Sequence, residues 1–188
     1  METTTLTKPV NNGVNVEALL GAREALTQAP PAAQFTWRAN CEWFDGAHSR
    51  STINGFFGLG EEQTRAQGFA VESDHPALFA ASDKAATPLE IVLAALASCL
   101  TGGVASVAQH RGVQLRSVKV DVEGDMDMSG VLGIDPDIRN GFSAIRVTFH
   151  IDADASPEEI AGIVSQSQKR SAIYDVITNP GNVRTSIA

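Results

Sequence analysis

Residues 87–112 read TPLEIVLAALASCLTGGVASVAQHRG, and this stretch decides how the chain folds. Three start signals agree at its head: Thr87 as a hydroxyl N-cap, Pro88 at the first helical position, and Glu90 placed to return a hydrogen bond to the cap. At its tail, His110 and Arg111 suit the negative end of a helix dipole. Gly112 can take the left-handed conformation that ends helices. The spacing predicts one helix from about Pro88 to His110. Its residues are apolar or small on every side, so it is expected to be buried nearly all round, with Ala and Gly letting a second helix or a symmetry mate approach closely. It is also long enough to cross a bilayer. Glu90, Ser98, Thr101 and Ser106, the water-type caps and the flanking strands argue instead for the core of a soluble protein with no membrane partner.

Outward from that helix, periodicity assigns the rest. Val16, Leu19, Leu20, Arg23 and Leu26 recur at helical spacing over 14–27, and Ala29-Pro30-Pro31 stops the helix. Phe35, Trp37, Ala39, Cys41 and Trp43 alternate with polar residues, as in a half-buried strand. Asp45-Gly46 reads as a hairpin turn into a second strand over 49–57, and 67–72 is a third, giving an antiparallel meander. After the helix, Val118, Val120 and Val122 alternate with charged residues, and Ile145, Val147, Phe149 and Ile151 supply the partner strand. The acidic stretch 124–141 links the two. Ser156-Pro157-Glu158-Glu159 repeats the capping signature for a last helix to about Arg170, and 174–188 carries no decisive signal, a closing edge strand being one reading. The class is α+β. Residues 1–34 form a tail with a short helix, its first twelve residues polar enough to fray, and 35–188 form the main domain.

Composition excludes several functions. A net charge of −8 and a pI near 4.9, with no run of Lys or Arg, leave no basic stripe for nucleic acid. The start, METTTLTKPVNNG, has no basic-then-apolar leader, so the cytoplasm is the expected compartment. Cys41 and Cys99 stand in dissimilar contexts and read as free thiols. His48, His75, His110 and His150 share no ligand-like spacing with them, so no metal is expected. Gly58-Leu59-Gly60 and Gly102-Gly103 lack the strand-to-helix setting of a phosphate loop, so no cofactor is expected either. Asp74, Asp125 and Asp127 fall in turn-like or solvated segments. Cys41 shares its strand face with the aromatic residues and is expected in the core.

Cys99 is the one candidate reactive group. By composition alone, a cysteine among Ala, Leu and Ser is a small core hydrophobe. A reactive thiol needs a cation, a metal or a helix N-terminus to lower its pKa, and within two turns of Cys99 its own helix carries no Lys, Arg or His. Any activating group must come from elsewhere in the fold. Glu90 lies nine residues away, on the opposite side of the helix, and is assigned to the cap.

The extended segment 87–130, TPLEIVLAALASCLTGGVASVAQHRGVQLRSVKVDVEGDMDMSG, resembles the core of the osmotically inducible protein C and organic hydroperoxide resistance (OsmC/Ohr) family. The shared order is a proline at the helix start, a small-residue run, the helix cysteine, Arg111-Gly112 and a Val-alternating strand ending at Glu123-Gly124. The likeness extends from Phe35 to the C-terminus. It implies an intertwined homodimer, and it matches Cys99 to a cysteine that attacks an organic hydroperoxide and becomes a sulfenic acid. Two positions depart from the family. Leu89 stands where the peroxidase branches place a glutamate that holds an activating arginine, for which Arg38 and Arg50 are both candidates. Ser171 stands where a resolving cysteine belongs, which excludes an internal disulfide cycle. Two functions follow: a one-cysteine peroxidase served by an external thiol reductant, or a dimer that binds a small apolar molecule, with Cys99 in a packing or sensing role. A third, in which the 124–141 loop meets a partner, rests on its acidity alone.

Overall fold

The computed structural model describes residues 9–187; the polar stretch expected to fray lies partly outside them, at 1–8. The described residues divide into two compact units, one of residues 17–92 and one combining 9–16 with 93–187.

In the first unit, α1 (Val16–Gln28) ends at a 3-10 turn over Pro30–Ala33, where the two prolines cannot continue a helix. Strands β1 (Asn40–Asp45), β2 (His48–Ile53), β3 (Phe56–Gly58), β4 (Glu61–Gln63) and β5 (Phe69–Ser73) follow. They form an antiparallel sheet in the order β1-β2-β5 and a separate β3-β4 hairpin. The expected three-strand meander is thus interrupted. The second strand breaks at Asn54-Gly55, and the hairpin turns through Leu59 (φ 56°) and Gly60 (φ 84°), the paired left-handed conformations of a tight turn. The first strand starts later than its alternation suggests. Phe35, Trp37 and Phe56 instead stack on one another, with ring centroids 4.5–6.1 Å apart. Arg65 lies over Phe56 and Phe69.

Among the described residues of this unit no apolar side chain is fully buried; Trp37 is 65% and Trp43 72% exposed. Cys41 is exposed as well, contrary to the core position expected for it. It sits on β1, an edge strand with every residue open to solvent, so alternation correctly groups it with the tryptophans on a face that the described residues leave open. Asp74 is the reverse case. Expected in a turn-like or solvated segment, it is in a loop but only 1% exposed, and it accepts the backbone N–H groups of His75 (2.8 Å) and Lys84 (3.0 Å), which pins the loop leading to the next helix.

That helix, α2 (Pro88–Arg111), carries the expected capping box: Thr87 N–H donates to Glu90 Oε2 at 2.8 Å and Glu90 N–H to Thr87 Oγ1 at 3.2 Å. Gly112 closes it at φ 71°. In the second unit, β6 (Leu115–Asp125) is followed by α3 (Met128–Val131), capped by Asp127, and then by β7 (Ala144–Ala153), α4 (Pro157–Lys169) and α5 (Ala172–Thr178). The β6-β7 ladder places Val118 opposite Ile151, Val120 opposite Phe149 and Val122 opposite Val147, the apolar sets that alternation selects. Ser156 and Glu159 cap α4 reciprocally, as their spacing predicts. The open segment at the end resolves against the edge-strand reading: 172–178 is helical and 179–187 is irregular. Ser171 caps this helix and Pro180-Gly181 follows it, and these boundary residues outweigh the β-branched Val176 and Ile177.

The core of this unit is Val104, Val107, Ala108, Val113, Ala153 and Ile163, so the C-terminal half of α2 packs against β6, β7 and α4. Burying a residue such as Val104 contributes roughly 1.5–3 kcal/mol. Asn12 bonds Gln109, Val113 and Leu115, so 10–12 are tied down rather than frayed. The helix is buried along one face only: Leu96, Leu100, Val104, Val107 and Ala108 are covered, while Ala94, Ser98 and Gly102 form an open row. Burial all round, expected from composition, is not achieved, because α4 and the sheet reach one side of it.

Candidate functional site

The crossing of α4 over α2 builds the surroundings of Cys99. Ser167, 2% exposed, donates to Leu100 O at 2.8 Å, and a Cβ on Gly103 would stand 2.2 Å from Ser167 Oγ. Only a residue without a side chain lets the two helices come this close. One turn beyond Ser167, α4 ends and Ser171 begins α5 directly beside the sulfur.

Ser171 is 5% exposed, and its hydroxyl is engaged twice. Its Oγ accepts the Tyr174 N–H at 3.1 Å, as an N-cap does. With a lone pair so occupied, the hydroxyl turns its proton to Cys99 Sγ, 3.1 Å away. The backbone N–H groups of Ile173 and Ala172 add to its pull on the thiol's pKa. Burial pushes the thiol up, and the Ser171 hydroxyl with these two N–H groups outweighs it, so the Cys99 thiol is held below its ordinary value. Among the described residues, the groups that favour the thiolate here are neutral donors.

The other expected residues are placed as follows. Glu90 is committed to the cap of α2. In the first unit, Arg38 forms a two-pronged pair with Glu62, at 2.7 and 2.9 Å. Arg50 bonds Glu72, which also holds His48, and lies over Phe44. Both candidate arginines thus already have carboxylate partners. The exposed Cys41 thiol is drawn down by the Ser51 and Ser49 hydroxyls across the ladder. Sequence reasoning placed Ser171 only as a substitute for a cysteine and missed the N–H groups of Ala172 and Ile173. The signal was present: a Ser directly after a helix end and before AIYDVIT is an N-cap in the same style as Ser156.

The family profile described as OsmC-like protein matches residues 81–186, more than half of the chain. No curated protein matches it in sequence. Among solved structures, an OsmC-like protein from Mycoplasma pneumoniae superposes with a TM-score of 0.59 at 15% identity, over 77% of this chain and 89% of that one. A structure from Legionella pneumophila, described as an organic hydroperoxide resistance protein OsmC, gives 0.52 at 15% identity, over 76% and 90%. A protein from Psychrobacter arcticus 273-4, described as a putative osmotic stress induced and detoxification response protein, gives 0.52 at 12% identity, over 73% and 85%. These likenesses establish the fold: α+β with antiparallel strands and a long central helix.

Proposed function

Because the chain belongs to the OsmC-like protein family, we propose that it reduces organic hydroperoxides with Cys99 as its one redox-active cysteine, in an oxidative stress response. The observation that carries this reading is the Ser171 hydroxyl donating to the Cys99 sulfur at 3.1 Å, with the N–H groups of Ala172 and Ile173 drawing the thiol's pKa the same way. They favour the thiolate, the form that attacks a peroxide oxygen. In the reaction, Cys99–S⁻ takes the distal oxygen of ROOH, the O–O bond breaks, and RO⁻ leaves and is protonated to ROH. The product is Cys99–SOH. With a hydroxyl at Ser171 in place of a second thiol, an external thiol restores the cysteine.

The reading includes a soluble cytoplasmic homodimer. Two free cysteines suit a reducing compartment. The open row Ala94, Ser98 and Gly102 on α2 and the exposed Trp37 and Trp43 are the surfaces a second copy would cover.

The test is consumption of cumene hydroperoxide with dithiothreitol as reductant, with Cys99 followed by mass spectrometry for the gain of one oxygen. Cys41→Ser should retain turnover and Cys99→Ser should abolish it. Turnover that survives Cys99→Ser overturns the assignment.

A further inference from the structure

Reduction of a Cys99 sulfenic acid consumes two thiols, and the residue hydrogen-bonded to the sulfur, Ser171, supplies none. Ser171 also lines a cleft of about 330 Å³ between the end of α4 and α5, shared with Gln168, Lys169, Tyr174, Asp175 and Asn179. This volume is at the lower end for small-molecule sites, and the walls are polar where most such sites are apolar. Two charged side chains line it. Lys169 closes the last turn of α4 and, among the described residues, enters no ion pair. Asp175 is steadied by Asn179, whose Nδ2 donates to Oδ1 at 3.1 Å. Tyr174 is the one aromatic side chain in the lining, so a hydrophobic dithiol finds little apolar wall here. A small thiol carrying a carboxylate and an ammonium group finds a partner for each.

Resting on the proposed chemistry of Cys99, we infer that this cleft is the entry site of the reductant, and that the reductant is a small hydrophilic thiol bearing both charges. The sequence of steps balances. The first thiolate attacks the sulfenic sulfur, forming a Cys99–S–S–R bond and releasing the oxygen as water. A second RSH then attacks the sulfur of R, giving RS–SR and Cys99–SH, so two thiols are oxidised for one sulfenic acid reduced. Lys169 and Asp175 act as binding residues for the incoming molecule.

The inference is tested on the full chain carrying Cys41→Ser, so that Cys99 is the only thiol. Rate constants for its reaction are measured with the dianionic disulfide 5,5′-dithiobis(2-nitrobenzoate) and with neutral 4,4′-dithiodipyridine, and the anionic-to-neutral ratio is taken. Both probes enter as a thiol reductant would and neither needs peroxide. Charge reversal by Lys169→Glu should lower the ratio about fivefold, and Asp175→Lys should raise it about fivefold, as expected for screened attraction at close range. Lys119→Glu, a reversal on exposed β6, should leave it within about twofold. A ratio that stays within twofold in either cleft variant, or that moves as far with Lys119→Glu, overturns the inference. The peroxide assay is scored separately. If peroxide does not oxidise Cys99 but the ratio follows Lys169 and Asp175, the peroxidase reading fails and the thiol-entry cleft stands. If Cys99 is oxidised but the ratio does not respond, the cleft assignment alone fails.

Discussion

Replacing Ser171 by alanine removes the hydroxyl that donates to Cys99 Sγ at 3.1 Å and leaves the Ala172 and Ile173 N–H groups in place. A hydrogen bond to a charged group contributes about 1.5–3 kcal/mol. Cys99 is half-buried and keeps the pull of the two backbone N–H groups, so the lower end applies, and about 1.4 kcal/mol corresponds to one pH unit. The thiol midpoint should therefore rise by about one unit in Ser171→Ala, and alkylation at a pH below both midpoints should slow about tenfold. The assay is the rate of iodoacetamide alkylation against pH in the Cys41→Ser background. The same substitution removes the N-cap of α5, with a stability loss of about 1 kcal/mol. Ser171→Thr keeps a hydroxyl for both tasks and should restore the parental midpoint, which separates the electrostatic effect from fraying of the helix. A Ser171→Ala midpoint within about 0.3 pH units of the parent refutes the reasoning. The sign for stability follows from linkage. The folded-state pKa lies below the unfolded one, so this stabilisation is complete above the unfolded thiol pKa and is lost as pH falls through the folded value. Ser171→Ala should flatten that rise in an equilibrium urea series.

Other substitutions probe the rest of the site. Ser171→Cys places a second sulfur beside Cys99, so one equivalent of peroxide should produce an internal disulfide; two free thiols persisting after oxidation would show that the side chains are held in the wrong geometry. Gly103→Ala forces Ser167 off the Leu100 carbonyl and should cost about 1–2 kcal/mol in chemical denaturation despite the better helix propensity of alanine, with Ser167→Ala partly compensating. Gly102 has nothing within 4 Å of an added Cβ, so Gly102→Leu should leave the single chain folded and abolish association, seen by analytical ultracentrifugation, if a second copy packs on that row. Asp74→Ala strips the acceptors from two backbone N–H groups and should lower the Tm by roughly 5 °C or more. The Lys84 N–H, then the His75 N–H, hold this carboxyl below its usual range, so the parent, unlike the variant, should lose stability as pH falls through that depressed pKa.

The sequence by itself determined the elements whose signals are local. Thr87, Pro88 and Glu90 start α2 and Gly112 stops it, and Ser156 with Glu159 starts α4, because caps depend on residues three or four apart. Alternation selected the paired faces of β6 and β7 for the same reason. Recognising the family brought Cys99 forward from among small core residues. What only tertiary structure decided is the state of that cysteine. The groups that act on it lie 72 or more residues away, at the start of a helix that periodicity did not assign, and two of them are backbone N–H groups that no side-chain pattern records. Burial was likewise undetermined. Periodicity groups Cys41 with Trp37 and Trp43, and shows α2 to be apolar all round, but whether a face is covered depends on which surfaces the folded chain brings against it. Here one side of α2 meets α4 and the sheet, and the row Ala94, Ser98 and Gly102 meets solvent.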